Sequence, residues 1–235
     1  MGPAGGGADL IPWVQLDAAV MPDGGGELRL KQRGTEFSIM LGSNELMNSR
    51  LSGSEEALAN VSCERIAGRP APRMLIGGLG MGFTLRAALA ALGPAAEVTV
   101  AELVPAVVVW ARGPMSGVFG GCLDDPRVAV REGDVGLAIR ERPAAWDAIL
   151  LDVDNGPGGL TREANDSLYD HAGLARAFVA LRPGGVLAIW SAHPDRYFTR
   201  RLVVSGFTVE EVKVRARRNS GARHVIWLAT RPQRA

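Results

Sequence analysis

The stretch Met74-Leu-Ile-Gly-Gly-Leu-Gly-Met-Gly-Phe-Thr-Leu-Arg86 decides the fold class of this chain. A short apolar run leads into four glycines, Gly77, Gly78, Gly80 and Gly82, and a helical pattern follows them. Because glycine lacks a Cβ atom, the backbone amides of such a turn can approach a ligand closely. The next helix points its free N–H groups the same way. The pattern therefore predicts a strand, a turn and a helix of the kind that binds a nucleotide.

A second strand is predicted about 20 residues further on, the spacing found in doubly wound nucleotide-binding domains. It covers Glu97-Val-Thr-Val-Ala-Glu102 and ends in a carboxylate. Glu102 is placed to accept hydrogen bonds from the two hydroxyls of a ribose. The structural alternative is that Glu102 caps the helix that begins at Pro105.

Strands and helices alternate with short connections from Arg73 onwards, and two strands without a helix between them close the chain. This order predicts an α/β fold, a doubly wound and mostly parallel seven-stranded sheet of the Rossmann-like, methyltransferase type. The expected domains are a flexible N-terminal segment (1–26), a small β appendage with a linking helix (27–69) and a nucleoside-binding domain (70–235).

Further acids follow the later strands, at the sheet edge where ligands of doubly wound folds bind. Asp134 comes after Gly133 and suits the exocyclic amine of adenine, or else it caps the next helical turn. Asp152 and Asp154 end a very apolar strand and could orient an amine or accept a proton, although an Asx turn is the alternative. Tyr169 stands at the start of the next helix and could reach the same cleft.

Composition excludes several classes of function. With 235 residues and a net charge of +1, the chain has no general electrostatic reason to bind nucleic acid or an anionic membrane. Cys63 and Cys122 lack the spacing of a disulfide framework or a zinc site, so no metal is expected and a reducing cytoplasm fits best. No apolar stretch reaches the roughly 18 residues that span a bilayer.

Taken together, these motifs resemble the spermidine synthase family and, more broadly, the class I S-adenosylmethionine-dependent methyltransferases. The similarity covers about residues 28 to 230 and includes Ile76 to Gly82, Val100-Ala-Glu102, Gly133-Asp134, Leu151-Asp152 and Leu168-Tyr169. The resemblance implies that the glycine turn holds the sulfonium side chain, Glu102 the ribose and Asp134 the adenine amine. It also implies that Asp152 orients and deprotonates the nucleophile, with Asp154 and Tyr169 as helpers.

Three departures from the family pattern concern the polyamine half of the site. The family's glycine turn contains an acid, where this chain has Gly80 or Met81; the second acid of its Asp-x-x-Asp-Pro loop becomes Asn155. The family's tyrosine-histidine-glutamate motif becomes Ser54-Glu55-Glu56. A turn without an acid suits the carboxylate of intact S-adenosylmethionine better than the ammonium of its decarboxylated form.

The sequence therefore favours methyl transfer from S-adenosylmethionine to a small-molecule or peptide nucleophile. Aminopropyl transfer from decarboxylated S-adenosylmethionine to a polyamine is the alternative. A non-catalytic binding module of the same fold is a second alternative, and NAD is the rival ligand. A homodimer stays open.

Overall fold

A computed structural model describes residues 11–153, 167–217 and 220–233. The chain divides into two compact units, Met1–Arg50 and Leu51–Ala235. The model confirms the predicted α/β fold, with a separate antiparallel sheet in the N-terminal unit and a mostly parallel sheet in the second. No helix in the described ranges is long and apolar enough to cross a membrane.

The N-terminal unit is a four-stranded antiparallel sheet, in the order β1 (Val14–Val20), β2 (Glu27–Arg33), β3 (Glu36–Leu41) and β4 (Asn44–Asn48). Strands β2 and β3 form a hairpin within the predicted β appendage, and its alternating apolar side chains are buried, as for Leu30 and Ile39. Strand β1 lies in the segment that was expected to be flexible. Its apolar residues Val14, Leu16, Ala18 and Val20 alternate with Gln15 and Asp17, but its side chains are mostly exposed, and its pairing with β2 defines it as a strand.

The second unit begins with a helix that was expected to join the appendage to the domain. Helix α1 (Gly53–Arg65) packs with the second helix of this unit and lies against its large sheet. The compact units accordingly divide after Arg50, whereas the sequence placed the boundary at residue 69. The helix has buried residues, such as Leu58 and Ala59, that belong to the second unit's core.

The other elements of the second unit follow the predicted alternation. They are β5 (Arg73–Gly77), α2 (Phe83–Ala91), β6 (Glu97–Glu102), α3 (Pro105–Arg112), α4 (Ser116–Phe119), β7 (Val128–Glu132), α5 (Val135–Arg140), β8 (Trp146–Leu151), α6 (His171–Ala180), β9 (Leu181–Ser191), α7 (Arg196–Val204), β10 (Thr208–Arg217) and β11 (Ser220–Thr230).

The strand order of the large sheet is β10-β11-β9-β8-β5-β6-β7. Strands β5 to β9 pair with one another in parallel, whereas β11 pairs antiparallel with both β9 and β10. The chain leaves β5 towards β6 and β7 and then returns to place β8 on the other side of β5. A doubly wound sheet binds its ligand in the crevice that such a reversal opens at the carboxyl ends of the strands. The crevice lies here between β5 and β8.

At the opposite, amino end of β8, a buried aspartate is held by arginines. Asp147 is 1% exposed and forms ion pairs with Arg69 and with Arg182, the latter at 2.8 Å. Its Oδ2 also accepts a hydrogen bond from the Arg73 amide at 2.8 Å. The carboxylate thus connects the start of β5 and the start of β9 to β8.

Candidate active site

The glycine turn between β5 and α2 needs glycine at Gly78 and Gly82, because both have a left-handed backbone with φ of 90° and 76°. A Cβ atom on Gly78 would lie 2.5 Å from the carbonyl oxygen of Asp152, and one on Gly82 would lie 2.5 Å from the Phe119 ring. L-amino acids rarely adopt such a φ, and neither space admits a methyl group. The turn therefore passes directly beside the residue that follows β8.

Backbone hydrogen bonds align the strand ends that carry the predicted site residues. The Asp152 amide donates to the Gly77 carbonyl at 3.0 Å, and the Gly133 amide donates to the Glu102 carbonyl at 2.7 Å. The Gly78 amide donates to the end of β6 at 2.9 Å. The turn, Glu102, Gly133 and Asp152 thus lie along one edge of the sheet.

Glu102 ends β6 with a carboxylate that is only 7% exposed. It accepts hydrogen bonds from the amides of Leu79 and Val104 at 2.9 and 2.8 Å, one on each oxygen. Burial raises the pKa of the Glu102 carboxyl, and these backbone bonds oppose the rise. The Leu79 amide bonds the carboxylate directly to the glycine turn, and its role in binding vicinal hydroxyls stays a prediction.

Asp134 is exposed and caps helix α5. Its Oδ1 accepts a hydrogen bond from the Gly136 amide at 2.7 Å. This is the capping role that the sequence left open as the alternative. One backbone bond does not exhaust the acceptor capacity of a carboxylate, so a contact to an adenine amine stays a prediction.

Asp152 is the partly buried carboxylate of the crevice between β5 and β8. Its Oδ2 accepts a hydrogen bond from the Thr84 hydroxyl at 3.0 Å, from the first turn of α2. Burial and the negative charge of Glu55 raise the pKa of the Asp152 carboxyl to about 7, while the Thr84 bond lowers it. At neutral pH the carboxyl is therefore divided between its two protonation states, which suits a group that takes up a proton.

Glu55, in the first turn of α1, is a residue that the sequence did not predict for this site, and its negative charge acts on Asp152. Its Oε2 accepts a hydrogen bond from the Ser54 hydroxyl at 2.7 Å, and its carbonyl lies 3.4 Å from the Thr84 hydroxyl. Burial raises the pKa of the Glu55 carboxyl, with a smaller contribution from Glu56. Helix α1 lies far from β8 in sequence, so only the departure of Ser54-Glu55-Glu56 from the family motif marked this position.

The two proposed helper residues have different outcomes. Tyr169 is 3% exposed, and its ring packs edge-on against Phe198 with the centroids 5.8 Å apart, in the apolar core beneath α7. Its catalytic role stays a prediction. Asp154 lies outside the described residues. Among those that are described, no group of three His, Cys, Asp or Glu side chains is arranged to hold a metal ion.

No family model matches the chain, but curated proteins match its sequence and solved structures match its fold. Polyamine aminopropyltransferase 1 of Streptomyces coelicolor is 34% identical over 128 residues, which are 53% of this chain and 23% of that protein. The polyamine aminopropyltransferase of Mycobacterium tuberculosis (strain H37Rv) is 34% identical over 102 residues, 42% of this chain and 18% of that protein. The matched regions therefore span less than a quarter of these curated relatives.

The similar solved structures are spermidine synthases and proteins of the class I methyltransferase fold, as the sequence predicted. Spermidine synthase from Thermotoga maritima has a TM-score of 0.73 at 17% identity, covering 94% of this chain and 74% of that one. A spermidine synthase in complex with the transition state analogue AdoDATO also has a TM-score of 0.73, at 17% identity, covering 94% and 73%. The CurJ carbon methyltransferase has a TM-score of 0.52 at 14% identity, covering 76% and 54%. At these identities the likeness shows the fold.

Proposed function

We propose that this chain is a transferase that moves an aminopropyl group from decarboxylated S-adenosylmethionine to an amine acceptor. The observation that carries the proposal is the position of Asp152, a carboxylate beside the glycine turn on which the negative charge of Glu55 acts. Such a pair favours a positively charged acceptor. The sequence matches to polyamine aminopropyltransferases support the same reading over methyl transfer, which the sequence alone had ranked first.

The residues present fit the nucleoside of this donor. Glu102 presents two fixed carboxylate oxygens beside the turn, and Asp134 presents a solvent-facing carboxylate at the end of β7. In the proposed complex Glu102 binds the ribose hydroxyls and Asp134 the adenine amine. When bound, the donor supplies a carbon that is activated by the neighbouring sulfonium.

Asp152 prepares the nucleophile in this proposal. Its carboxylate orients the acceptor ammonium, takes a proton from nitrogen and leaves a neutral amine with a free lone pair. The Thr84 hydroxyl fixes one oxygen of the carboxylate, so the other oxygen is directed to the substrate. Positioning of this kind supplies most of the acceleration in a displacement of this type.

Methyl transfer from intact S-adenosylmethionine is the second candidate, and a specific observation favours it. The turn from Gly77 to Gly82 carries no acid to hold the ammonium of an aminopropyl group, while its amides suit a carboxylate. The acceptor would again be a small-molecule or peptide nucleophile, positioned by Asp152.

A parallel assay separates these functions. The chain is incubated with each form of the donor, together with putrescine, spermidine or a metabolite extract, and the nucleoside products are identified. Release of methylthioadenosine from the decarboxylated donor supports aminopropyl transfer, whereas S-adenosylhomocysteine from the intact donor supports methyl transfer. Both should be lost in Asp152→Asn.

Binding measurements test the remaining alternatives. Calorimetry should show that S-adenosylmethionine, its decarboxylated form or methylthioadenosine binds to the chain. Binding should be about tenfold weaker or more in Glu102→Ala, because the variant loses charge-assisted hydrogen bonds between the carboxylate and the ribose hydroxyls. Tighter binding of NAD would overturn the nucleoside assignment. No binding and no turnover would favour the non-catalytic module.

A further inference from the structure

The end of β10 and the start of β11 concentrate positive charge on one face of the large sheet. Lys213 and Arg215 lie on β10, and Arg223 of β11 stands directly opposite Arg215. All three side chains are exposed. Like charges that stand directly opposite each other in an antiparallel pair destabilise it. The hairpin therefore holds two guanidinium groups together against their repulsion, which an anionic partner would relieve.

Helix α7 packs on the same face of this hairpin. Side chains two residues apart on a strand share a face, so Glu211, Lys213 and Arg215 lie on one side of β10. The Thr199 hydroxyl of α7 donates a hydrogen bond to Glu211 and accepts one from the Trp227 indole of β11 at 2.9 Å. Lys213 and Arg215 thus continue along the face that α7 covers, towards the carboxyl edge of the sheet.

Two more arginines extend the positive charge over the start of α7. Arg196 and Arg200 are both exposed, and because they are four residues apart they are neighbours on the helix surface. Arg196 lies about one turn before Thr199, towards the same edge of the sheet. We call the five side chains together the cationic strip, which consists of Arg196, Arg200, Lys213, Arg215 and Arg223.

The cationic strip keeps an excess of positive charge. Within the described ranges none of its five side chains forms an ion pair, whereas other arginines, such as Arg65 and Arg182, do. Two carboxylates lie close to the strip and are already bonded within the protein. Glu211 accepts the Thr199 hydroxyl, and Asp195 caps α7 by accepting the Tyr197 amide at 2.8 Å.

An exposed aromatic ring lies beside the cationic strip. Tyr197 is 66% exposed, and the Arg196 guanidinium lies 4.9 Å from the centroid of its ring. Arg196 also donates a hydrogen bond to the Tyr197 hydroxyl at 2.9 Å, which holds the two side chains together. Exposed aromatic rings and guanidinium planes are the groups on which unpaired nucleobases stack. An acidic peptide would use the charge of the strip but not the ring.

We propose that the cationic strip and Tyr197 form a binding surface for single-stranded nucleic acid. Arginine forks match the geometry of phosphate groups, and the ring of Tyr197 offers a stacking platform for a base. The net charge of +1 concealed this surface, because carboxylates elsewhere in the chain balance its cations.

The proposed surface is separate from the candidate active site. In the strand order of the large sheet, β10 is three strands away from β8, which is about 14 Å at the usual spacing of strands. The inference therefore goes beyond the proposed function and does not depend on which group is transferred.

The experiment measures binding of the full chain to a labelled single strand, either oligothymidylate or mixed-sequence RNA, by fluorescence anisotropy. With about four phosphates neutralised, the logarithm of the affinity should fall with the logarithm of the salt concentration at a slope of about −3. Arg215→Gln/Arg223→Gln should weaken binding about tenfold at low salt and make the slope shallower by about 1.4. Its melting temperature should not fall, since the variant removes two opposed cations. No binding to either strand at low salt would overturn the inference.

The matched control is Arg112→Gln/Arg131→Gln. It removes an equal charge, but from exposed arginines that already pair with Asp124 and Glu141. We expect this variant to bind the labelled strands almost as the wild type does. Equal weakening in the two double variants would show that only the overall charge matters and would overturn the inference.

Tyr197→Ala separates nucleic acid from an acidic protein as the partner. Loss of one stacked base should weaken binding about tenfold and leave the salt slope unchanged, because the ring carries no charge. Val203→Ala is its control, an exposed apolar residue of the same helix that should have no effect. Unchanged affinity in Tyr197→Ala, or displacement of the strand by polyglutamate at equal charge concentration, would assign the surface to an acidic protein and overturn the inference.

Discussion

Strand β8 carries an aspartate near each of its ends, and the two have opposite surroundings. Asp147, at the amino end, is buried between Arg69 and Arg182, with an additional hydrogen bond from the Arg73 amide. Asp152, just beyond the carboxyl end, faces another carboxylate, and its pKa is raised to about 7. The same residue type is therefore neutralised by arginine at one edge of the sheet and left with excess negative charge at the other.

This difference separates a structural charge from one that is available to a ligand. The charge of a buried carboxylate that pairs with two arginines is already compensated inside the protein. A carboxylate near another negative charge is instead stabilised by binding a proton or a cation. A second aspartate at the amino edge, Asp125 before β7, is likewise paired with an arginine, Arg127, at 2.8 Å. The carboxyl edge, where Glu102 and Asp152 lie, carries the proposed binding site.

The largest effect is expected at the amino edge. Asp147→Ala leaves two arginines without their buried partner and should lower the free energy of unfolding by about 3 kcal/mol. Urea unfolding followed by tryptophan fluorescence measures it. Glu97→Gln is the control, because Glu97 also pairs with an arginine, Arg73, but its side chain is 64% exposed, and its loss should cost less than about 1 kcal/mol. Equal effects in both variants would remove the distinction between the edges.

The next effect concerns the glycine turn. Gly78→Ala adds a methyl group 2.5 Å from the Asp152 carbonyl oxygen at a φ of 90°, so we expect a loss of about 2 kcal/mol and weaker nucleoside binding. Gly93→Ala is the matched control in the same strand-helix unit, since nothing lies within 4 Å of its added Cβ. Thermal unfolding and calorimetry with methylthioadenosine provide the measurements. Unchanged binding in Gly78→Ala would contradict the placement of the ligand at this turn.

Asp152→Asn is expected to have a smaller effect and, unlike the previous variants, to increase the free energy of unfolding. The folded pKa of Asp152, about 7, lies above its ordinary value of 3.8, so the folded state favours the protonated form and loses stability as the pH rises between these values. The asparagine variant should therefore be more stable than the wild type at pH 8 by about 1 to 2 kcal/mol, and equally stable at pH 4. It should also be inactive. Urea unfolding at both pH values tests this, and a variant that is less stable at pH 8 would refute it.

The smallest effect is expected for Asp125→Asn and has the opposite pH dependence. Hydrogen bonds from Arg127 lower the pKa of Asp125 to about 2, so the pair stabilises the fold above pH 3.8 and that contribution is lost as the pH falls towards 2. Because both side chains of the pair stay partly accessible to solvent, we expect the melting temperature at pH 7 to fall by only about 1 to 2 °C. The difference from the wild type should shrink in acid, where Asp152→Asn also has no effect. If the difference in melting temperature between Asp125→Asn and the wild type increased at acidic pH, the proposed contrast between the two edges would be wrong.

Local patterns were enough to predict most elements of the second unit. The glycine turn, the strand that ends at Glu102 and the short helix after Asp134 each depend on neighbouring residues, and each is present. Strand β1 was not predicted, because the short alternation of Val14, Leu16, Ala18 and Val20 lies in a segment rich in glycine and proline, and the strand forms by pairing with β2. The preference for methyl transfer rested on the lack of an acid in one turn, and aminopropyl transfer stayed the alternative because acids from other elements could hold the ammonium.

By itself, the sequence determined the fold class and the edge of the sheet where the acids gather. Both follow from short-range rules, because apolar periodicity defines strands and helices, and parallel strands bring their carboxyl ends to one edge. Only the tertiary structure decided which charges meet. Asp147 and Asp152 are two aspartates close to the ends of one strand, and only folding brings Arg69 and Arg182 to the first and the negative charge of Glu55 to the second. Electrostatic free energy depends on distance in space, and the helix that supplies Glu55 lies almost a hundred residues away in the chain.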